Sequence, residues 1–111
     1  EIIYDHTLVT PAVLDRSNRN RKREDMITPL MSLRDSLPLW EQHFAPRLKE
    51  IRHPTLILWG EQDRLFPPQV GRDLQTTIPQ ARLIMIPEAG HIPQWEQPQV
   101  VNRHITEFLQ P

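Results

Sequence analysis

Residues 54–63 read PTLILWGEQD, and the predicted class of fold follows from this segment. Its middle is a continuous apolar run of β-favouring side chains that Gly60 ends, which is typical of a strand buried on both faces of a parallel sheet. A second run of the same kind, RLIMI at residues 82–86, is stopped by Pro87. The pattern therefore predicts two neighbouring strands of one parallel sheet.

Apolar residues recur at helical spacing between the two strands and again after the second strand. Between them, residues 68–78 place Val70, Leu74 and Ile78 on one stripe. After the second strand, residues 98–109 carry the most regular apolar stripe of the chain. The order strand, helix, strand, helix predicts a doubly wound α/β sheet with parallel strands and crossover helices. Two strands cannot form such a sheet alone, because each would keep an unpaired edge.

The first fifty residues are charged and irregular, and their short apolar patterns predict two or three short helices. Thr10 before Pro11 predicts an N-cap followed by proline at the first helical position, and Thr28 before Pro29 repeats the device. The basic run at residues 16–23 is typical of a solvated helix face.

The composition excludes several classes of function. Three glycines in 111 residues leave no glycine-rich phosphate loop, and the absence of cysteine excludes disulfides and thiol nucleophiles. The 13 basic and 14 acidic side chains give a net charge of −1, so no nucleic acid and no membrane is expected as a partner. The apolar runs are far shorter than the ~20 residues of a membrane helix and no signal peptide is recognisable, so a soluble, cytoplasmic protein is expected.

An acid and a histidine follow the two predicted strands: Asp63 comes just after Gly60, and His91 directly follows Gly90. In open α/β sheets ligands bind outside the carboxyl ends of the strands, and neighbouring strands bring these two residues to the same edge. A carboxylate that holds the Nδ1 proton of an imidazole leaves Nε2 to act on a nucleophile. The two glycines predict positions that need either a positive φ or a close backbone approach.

Each of these residues also has a simpler interpretation. Asp63 alone fits a helix cap or a solvated turn better than catalysis, and His91 alone fits a partly exposed loop histidine, so the catalytic hypothesis depends on their joint placement. Trp95 is a candidate for lining the pocket beside the imidazole, and packing under the loop explains it equally well. Arg16 is a candidate for holding a substrate carboxylate, with a solvated helix face as the alternative.

The stretch PTLILWGEQD, followed by the pair Gly90 and His91 and a terminal amphipathic helix, resembles the last two core strands of the α/β-hydrolase family. The resemblance implies that Asp63 is the acid of a catalytic triad and that His91 is its base. Residues 90–98, GHIPQWEQP, are similar more narrowly to the meta-cleavage-product hydrolases, which split carbon–carbon bonds in ring-opened aromatic compounds.

The resemblance also implies how the chain is organised. Residues 1–37 correspond to the end of a helical cap or lid region, residues 38–50 lead into the core, and residues 51–111 form its last two strands and helices. Pro38 and Pro46 predict breaks in the regular structure of the lead-in segment. The implied fold is the C-terminal portion of a doubly wound α/β-hydrolase sheet, preceded by helices from the end of the cap.

One part of the family's pattern is missing. The nucleophile of the family lies in a GxSxG elbow, and none of Ser17, Ser32 and Ser36 is flanked by glycine. The nucleophile and the oxyanion-hole donors are therefore expected outside this chain, in a preceding N-terminal segment that is its partner. This chain alone is expected to be an incomplete enzyme.

The implied function is a hydrolase of the Ser-His-Asp type that acts on a small-molecule carbonyl substrate without a cofactor. Carbon–carbon hydrolysis of a vinylogous diketone from a ring-cleaved aromatic compound is the first expectation. An ester or lactone hydrolase of the same fold, and a non-catalytic hydrolase-fold fragment in binding or assembly, are the alternatives. No metal is expected, because histidine and acidic residues do not cluster at ligand spacing. The complete enzyme is a candidate homo-oligomer.

Overall fold

Strands and helices alternate along the second half of the chain. The computed structural model describes residues 2–22 and 24–110. Short 3₁₀ turns lie at His6–Leu8 and Ala45–Glu50. The longer elements, in chain order, are helix α1 (Pro11–Arg21), helix α2 (Glu24–His43), strand β1 (Thr55–Gly60), helix α3 (Pro68–Thr77), strand β2 (Ala81–Ile86), helix α4 (Pro93–Glu96) and helix α5 (Pro98–Leu109).

The two apolar runs form β1 and β2, which pair in parallel in a two-stranded sheet. The register begins with Thr55 opposite Ala81 and ends with Gly60 opposite Ile86. Helix α3 connects the two strands and lies where the apolar stripe predicts it. The parallel pairing and the α/β class that the sequence predicts are confirmed.

Helices cover both faces of this sheet. Leu58 and Ile84 pack against a buried cluster that includes Val101 of α5. Trp59 is the next residue along β1 and points to the opposite face. There its ring lies beside Gly71 of α3, where a Cβ atom would be only 3.0 Å from the indole. Helices α3 and α5 therefore lie on opposite faces of the sheet.

Gly60 is the last residue of β1, and the backbone of the loop after β2 lies very close to it. A Cβ atom at Gly60 would lie 2.0 Å from the carbonyl oxygen of Gly90 and 2.5 Å from that of Ala89. Of the two reasons for glycine that the sequence leaves open, close approach is the one observed, since no described glycine has a positive φ. The left-handed backbone falls instead on Glu88, whose φ is 53°.

The strands are only partly buried, in contrast to the burial on both faces that their apolar sequence predicts. Most residues of β1 and β2 keep intermediate exposure, and the buried apolar side chains among the described residues are Ile78, Ile86, Ala89 and Val101. The physical reason is the narrow sheet, because each strand has one strand neighbour in the part of the chain that is described. Full burial of such strands requires further neighbours.

The chain divides into two compact units. One consists of Glu1–Leu8 and Leu48–Pro111, and contains the sheet; the other is Val9–Arg47. In the second unit α1 begins as the sequence predicts. The hydroxyl of the N-cap Thr10 accepts a hydrogen bond from the Val13 N–H at 3.4 Å, and proline occupies the first turn.

The helix start predicted at Thr28 and the break predicted at Pro38 are wrong. Helix α2 begins at Glu24 and continues to His43, so Pro29 and Pro38 both lie inside it. An interior proline removes one backbone hydrogen bond, yet the residues on either side of Pro29 and of Pro38 keep helical backbone. Some residues of the predicted patterns lie outside the described residues: Arg23 of the basic run, and the side chains of Met26, Ile27 and Leu30.

Replacing Gly60 with alanine should destabilise the fold. The added methyl group would lie 2.0 Å from the Gly90 carbonyl oxygen, so the loop after β2 must move. Overpacking of this kind costs about 1–3 kcal/mol. Thermal unfolding followed by circular dichroism should give a lower Tm for Gly60→Ala, whereas Gln99→Ala at an exposed position of α5 should leave the Tm unchanged. An unchanged Tm for Gly60→Ala would contradict the close approach.

Candidate active site

Backbone hydrogen bonds join the loops that follow β1 and β2. The Glu61 N–H donates to the Ile86 carbonyl at 3.0 Å, and the Gln62 N–H donates to the Ala89 carbonyl at 2.9 Å. The side-chain oxygen of Gln62 accepts in turn from the Ala89 N–H at 3.1 Å. The two loops are thus held at a fixed separation along their first residues.

Asp63 and His91 lie side by side at the end of these loops. Although they are 28 residues apart, Oδ2 of Asp63 lies 2.9 Å from Nδ1 of His91. An ionised carboxylate can only accept, so Nδ1 carries a proton, and Nε2 of a neutral ring holds the lone pair. The Asp63 side chain is 4% exposed and the imidazole is 31% exposed, so the acid is shielded while the histidine is accessible. The expected contact is present, and the catalytic roles remain predictions.

Both oxygens of the Asp63 carboxylate have partners. Its Oδ1 accepts from the backbone N–H of Leu65 at 2.9 Å and from that of Phe66 at 3.0 Å. Burial acts to raise the pKa of Asp63, but hydrogen bonds from His91, Phe66 and Leu65 outweigh it and hold the pKa below the ordinary value of 3.8. Asp63 is therefore ionised at neutral pH and is oriented through both oxygens.

An aromatic ring flanks the pair. The centroid of the Phe66 ring lies 5.3 Å from that of the His91 ring, with the planes tilted by 48°. The indole Nε1–H of Trp59 donates to the Phe66 carbonyl at 3.1 Å and holds this part of the loop. Phe66 is not a candidate from the sequence, because an aromatic residue before two prolines carries no chemical signal.

A cavity of about 150 Å³ opens beside the pair. Its wall includes Asp63, His91 and residues from β1 and from the segment after the histidine, namely Leu58, Trp59, Gly60, Pro93 and Gln94. A mostly apolar wall with an accessible imidazole suits a small organic substrate that has one polar reacting group.

The two other candidate residues, Trp95 and Arg16, lie on helices. Trp95 lies on α4, is 39% exposed and is not among the residues that line this cavity. Arg16 is an exposed residue of α1 in the unit Val9–Arg47. Pocket lining by Trp95 and carboxylate binding by Arg16 both remain predictions.

A second buried carboxylate, Glu96, is not found by the sequence analysis. It ends α4, is 8% exposed and accepts hydrogen bonds from backbone N–H groups near His91 and near the start of the chain. A single glutamate inside the stretch GHIPQWEQP has no periodic signal. Its position close behind the pair Gly90 and His91 is the one cue that the sequence offers.

No group of three or more His, Cys, Asp or Glu side chains in the described ranges could hold a metal ion. None of the described helices combines the length and the apolar character needed to cross a membrane.

The family follows from a sequence comparison. The sequence model of the alpha/beta hydrolase fold family matches residues 6–98, which is most of the chain. The chain belongs to the alpha/beta hydrolase fold family, as its residue pattern implies.

Named relatives and a solved structure agree with this assignment. The 2-hydroxy-6-oxononadienedioate/2-hydroxy-6-oxononatrienedioate hydrolase of Comamonas testosteroni and the 2-hydroxy-6-oxo-6-phenylhexa-2,4-dienoate hydrolase of Burkholderia cepacia are each 34% identical over 109 residues. These matches cover 96% of this chain, which spans about 38% of the length of the two relatives. The structure of a thermophilic esterase from Thermogutta terrifontis is 41% identical with a TM-score of 0.53, over 55% of this chain and 22% of that chain.

Replacing Asp63 with asparagine should remove a pH-dependent part of the stability. The pKa of Asp63 in the folded chain lies below its ordinary value of 3.8. Its ionised form therefore stabilises the fold above pH 3.8, and this contribution is lost as the pH falls through the folded pKa. The Tm of the unmodified chain should fall more steeply than that of Asp63→Asn between about pH 5 and about pH 2.

Asp73→Asn is the matched control, because Asp73 is an exposed aspartate on α3. Its Tm should follow the curve of the unmodified chain. Parallel curves for Asp63→Asn and the unmodified chain would show that the ionised Asp63 does not stabilise the fold.

Proposed function

We propose that this chain supplies the base and the acid of a Ser-His-Asp hydrolase, with His91 as the general base and Asp63 as the acid that orients it. The 2.9 Å contact between Asp63 Oδ2 and His91 Nδ1 carries the proposal. With Nδ1 protonated, Nε2 takes a proton from a hydroxyl nucleophile and later returns it to the leaving group. The carboxylate stabilises the imidazolium that exists between these two steps.

The nucleophile and the oxyanion-hole donors lie, in this proposal, in a preceding N-terminal segment. Ser17, Ser32 and Ser36 lack the flanking glycines of a nucleophile elbow, and the chain spans about 38% of the length of its named relatives. A histidine and an aspartate can deprotonate a hydroxyl but cannot replace it. We therefore expect no hydrolysis from these 111 residues alone.

The proposed substrate is a vinylogous diketone from a ring-cleaved aromatic compound. Two relatives, each 34% identical, are named as hydrolases of 2-hydroxy-6-oxo-dienoate compounds, which supports this class. The nucleophile would attack the ketone carbon, the carbon–carbon bond would break, and the released carbon fragment would take up the proton. Water then removes the acyl group as a carboxylic acid. Arg16, in the proposed cap region 1–37, is the candidate partner of a substrate carboxylate.

Ester hydrolysis is the second candidate function. The solved structure that is 41% identical over 55% of this chain is a thermophilic esterase. A histidine base that an aspartate orients, as Asp63 orients His91, serves acyl transfer from an ester by the same proton steps. The two candidates therefore differ in the substrate and in the leaving group, and they share the pair.

Replacing His91 with alanine should abolish hydrolysis by the protein assembled with the nucleophile-bearing segment. Loss of the base should lower kcat by about 10³-fold or more, because the nucleophile is no longer deprotonated. Steady-state kinetics measure the effect. His53→Ala is the matched control, since His53 is an exposed histidine just before β1.

The control variant should keep the kcat of the unmodified protein. Retention of activity in His91→Ala would remove that residue's role as base. Full activity from the 111-residue chain alone would show that the nucleophile lies within it.

A comparison of substrates should separate the two candidate functions. The assembled protein should hydrolyse a 2-hydroxy-6-oxo-dienoate with a higher kcat/KM than a p-nitrophenyl ester of a short acid. Loss of the dienoate's chromophore and release of nitrophenolate give the two rates. A higher kcat/KM for the ester would favour the esterase interpretation, and no turnover of either would support a non-catalytic role.

A further inference from the structure

We propose that Glu96 is a positioning residue for His91 and that it joins the histidine loop to residues 2–5 of the chain. The inference rests on the proposed role of His91 as base. Glu96 lies outside the Asp63–His91 pair and has no part in the proton steps derived above. Its carboxylate nevertheless connects the backbone on both sides of the histidine to a segment about ninety residues away in sequence.

One oxygen of Glu96 holds the histidine loop. Its Oε1 accepts from the Gly90 N–H at 2.8 Å and, at a longer 3.4 Å, from the Ile92 N–H. The N–H of His91 itself donates to the carbonyl of Ile2 at 2.7 Å. Three consecutive amides are therefore held by acceptors that lie outside the loop segment 90–92, which restricts the backbone from which the imidazole projects.

The other oxygen of Glu96 holds the start of the chain. Its Oε2 accepts from the Tyr4 N–H at 2.5 Å and from the Asp5 N–H at 3.3 Å. The Ile2 carbonyl passes so close to Gly90 that a Cβ atom there would lie 2.5 Å from it. Residues 2–5 and the histidine loop are thus packed backbone to backbone, with the glutamate between them.

Because Glu96 is buried, its hydrogen bonds matter for the stability of this arrangement. At 8% exposure the carboxylate has lost most of its water, and backbone N–H dipoles provide its hydrogen bonds in place of water. Hydrogen bonds to a charged group are stronger than neutral ones, so four donors can offset the desolvation. Removing the carboxylate leaves the buried Gly90 N–H and three partly buried N–H groups without this acceptor, and frees the loop that holds His91.

The first experiment measures the pair itself in the protein assembled with the nucleophile-bearing segment, and it requires no turnover of substrate. The carboxyl titration of Asp63 is followed by carbon-13 NMR in the unmodified chain, Glu96→Ala and Glu96→Gln. Because the hydrogen bond from His91 helps to hold the pKa of Asp63 low, a displaced histidine should raise its titration midpoint towards the ordinary value. Glu96→Gln should give an intermediate midpoint, since its amide oxygen still accepts while its NH₂ group faces N–H donors.

Glu107→Gln is the matched control, because Glu107 is an exposed glutamate of α5. It changes the net charge by the same amount and should leave the Asp63 midpoint unchanged. An unchanged midpoint in both Glu96 variants would overturn the inference. If Glu96→Ala fails to fold, the Asp63 titration midpoint of the nearly isosteric Glu96→Gln decides whether Glu96 positions His91.

The second experiment measures catalysis in the protein assembled with the nucleophile-bearing segment. A misplaced base should lower kcat by up to about 10²-fold in Glu96→Ala, with KM nearly unchanged. Equal loss in kcat and in the amount of folded protein would indicate a merely structural role and would overturn the inference. If the assembled protein hydrolyses nothing, the proposed function fails, while the Asp63 titration still decides the role of Glu96.

Discussion

The loop after β2 passes close to the end of β1, and this backbone contact fixes the positions of Asp63 and His91. A side-chain hydrogen bond requires its donor and acceptor to be placed within a few tenths of an ångström, and loops on a protein surface vary by much more. Here the missing side chain of Gly60 lets the Gly90 carbonyl approach closely, and the Gln62 amide and Ala89 carbonyl join the two loops. The backbone thereby sets the distance that Asp63 and His91 then bridge.

Two buried carboxylates serve this site in different ways. Asp63 shares its oxygens between an imidazole and two backbone amides, so its charge acts on a group that can change protonation state. Glu96 accepts from backbone amides, so its charge organises the chain. In both cases backbone N–H groups replace lost water, which lets a carboxylate remain in place inside a small protein unit that has few buried apolar side chains.

The sequence predicts those features that local patterns encode. The apolar runs give β1 and β2, the apolar stripes give α3 and α5, and the parallel order brings Asp63 and His91 to one edge. The contacts of Glu96 are not predicted, because its partners near residue 4 are set by tertiary structure and give no periodic pattern in the sequence. The continuity of α2 is not predicted for another reason: prolines disfavour helix interiors, so Pro29 and Pro38 are read from the sequence as helix boundaries although the helix continues through both.

The same tertiary contacts hold the Asp63–His91 pair within a single compact unit. The Asp63–His91 pair needs the two strand ends, and the histidine loop is held by Glu96 together with residues 2–5. All of these residues lie in one compact unit, so contacts within that unit orient the imidazole of His91. Rate enhancement, however, comes mainly from a positioned nucleophile and from donors that meet the developing oxyanion. An oriented histidine is one condition for the proposed chemistry. The outer edges of β1 and β2, each with one strand neighbour among the described residues, are where further strands of an α/β-hydrolase sheet would pair.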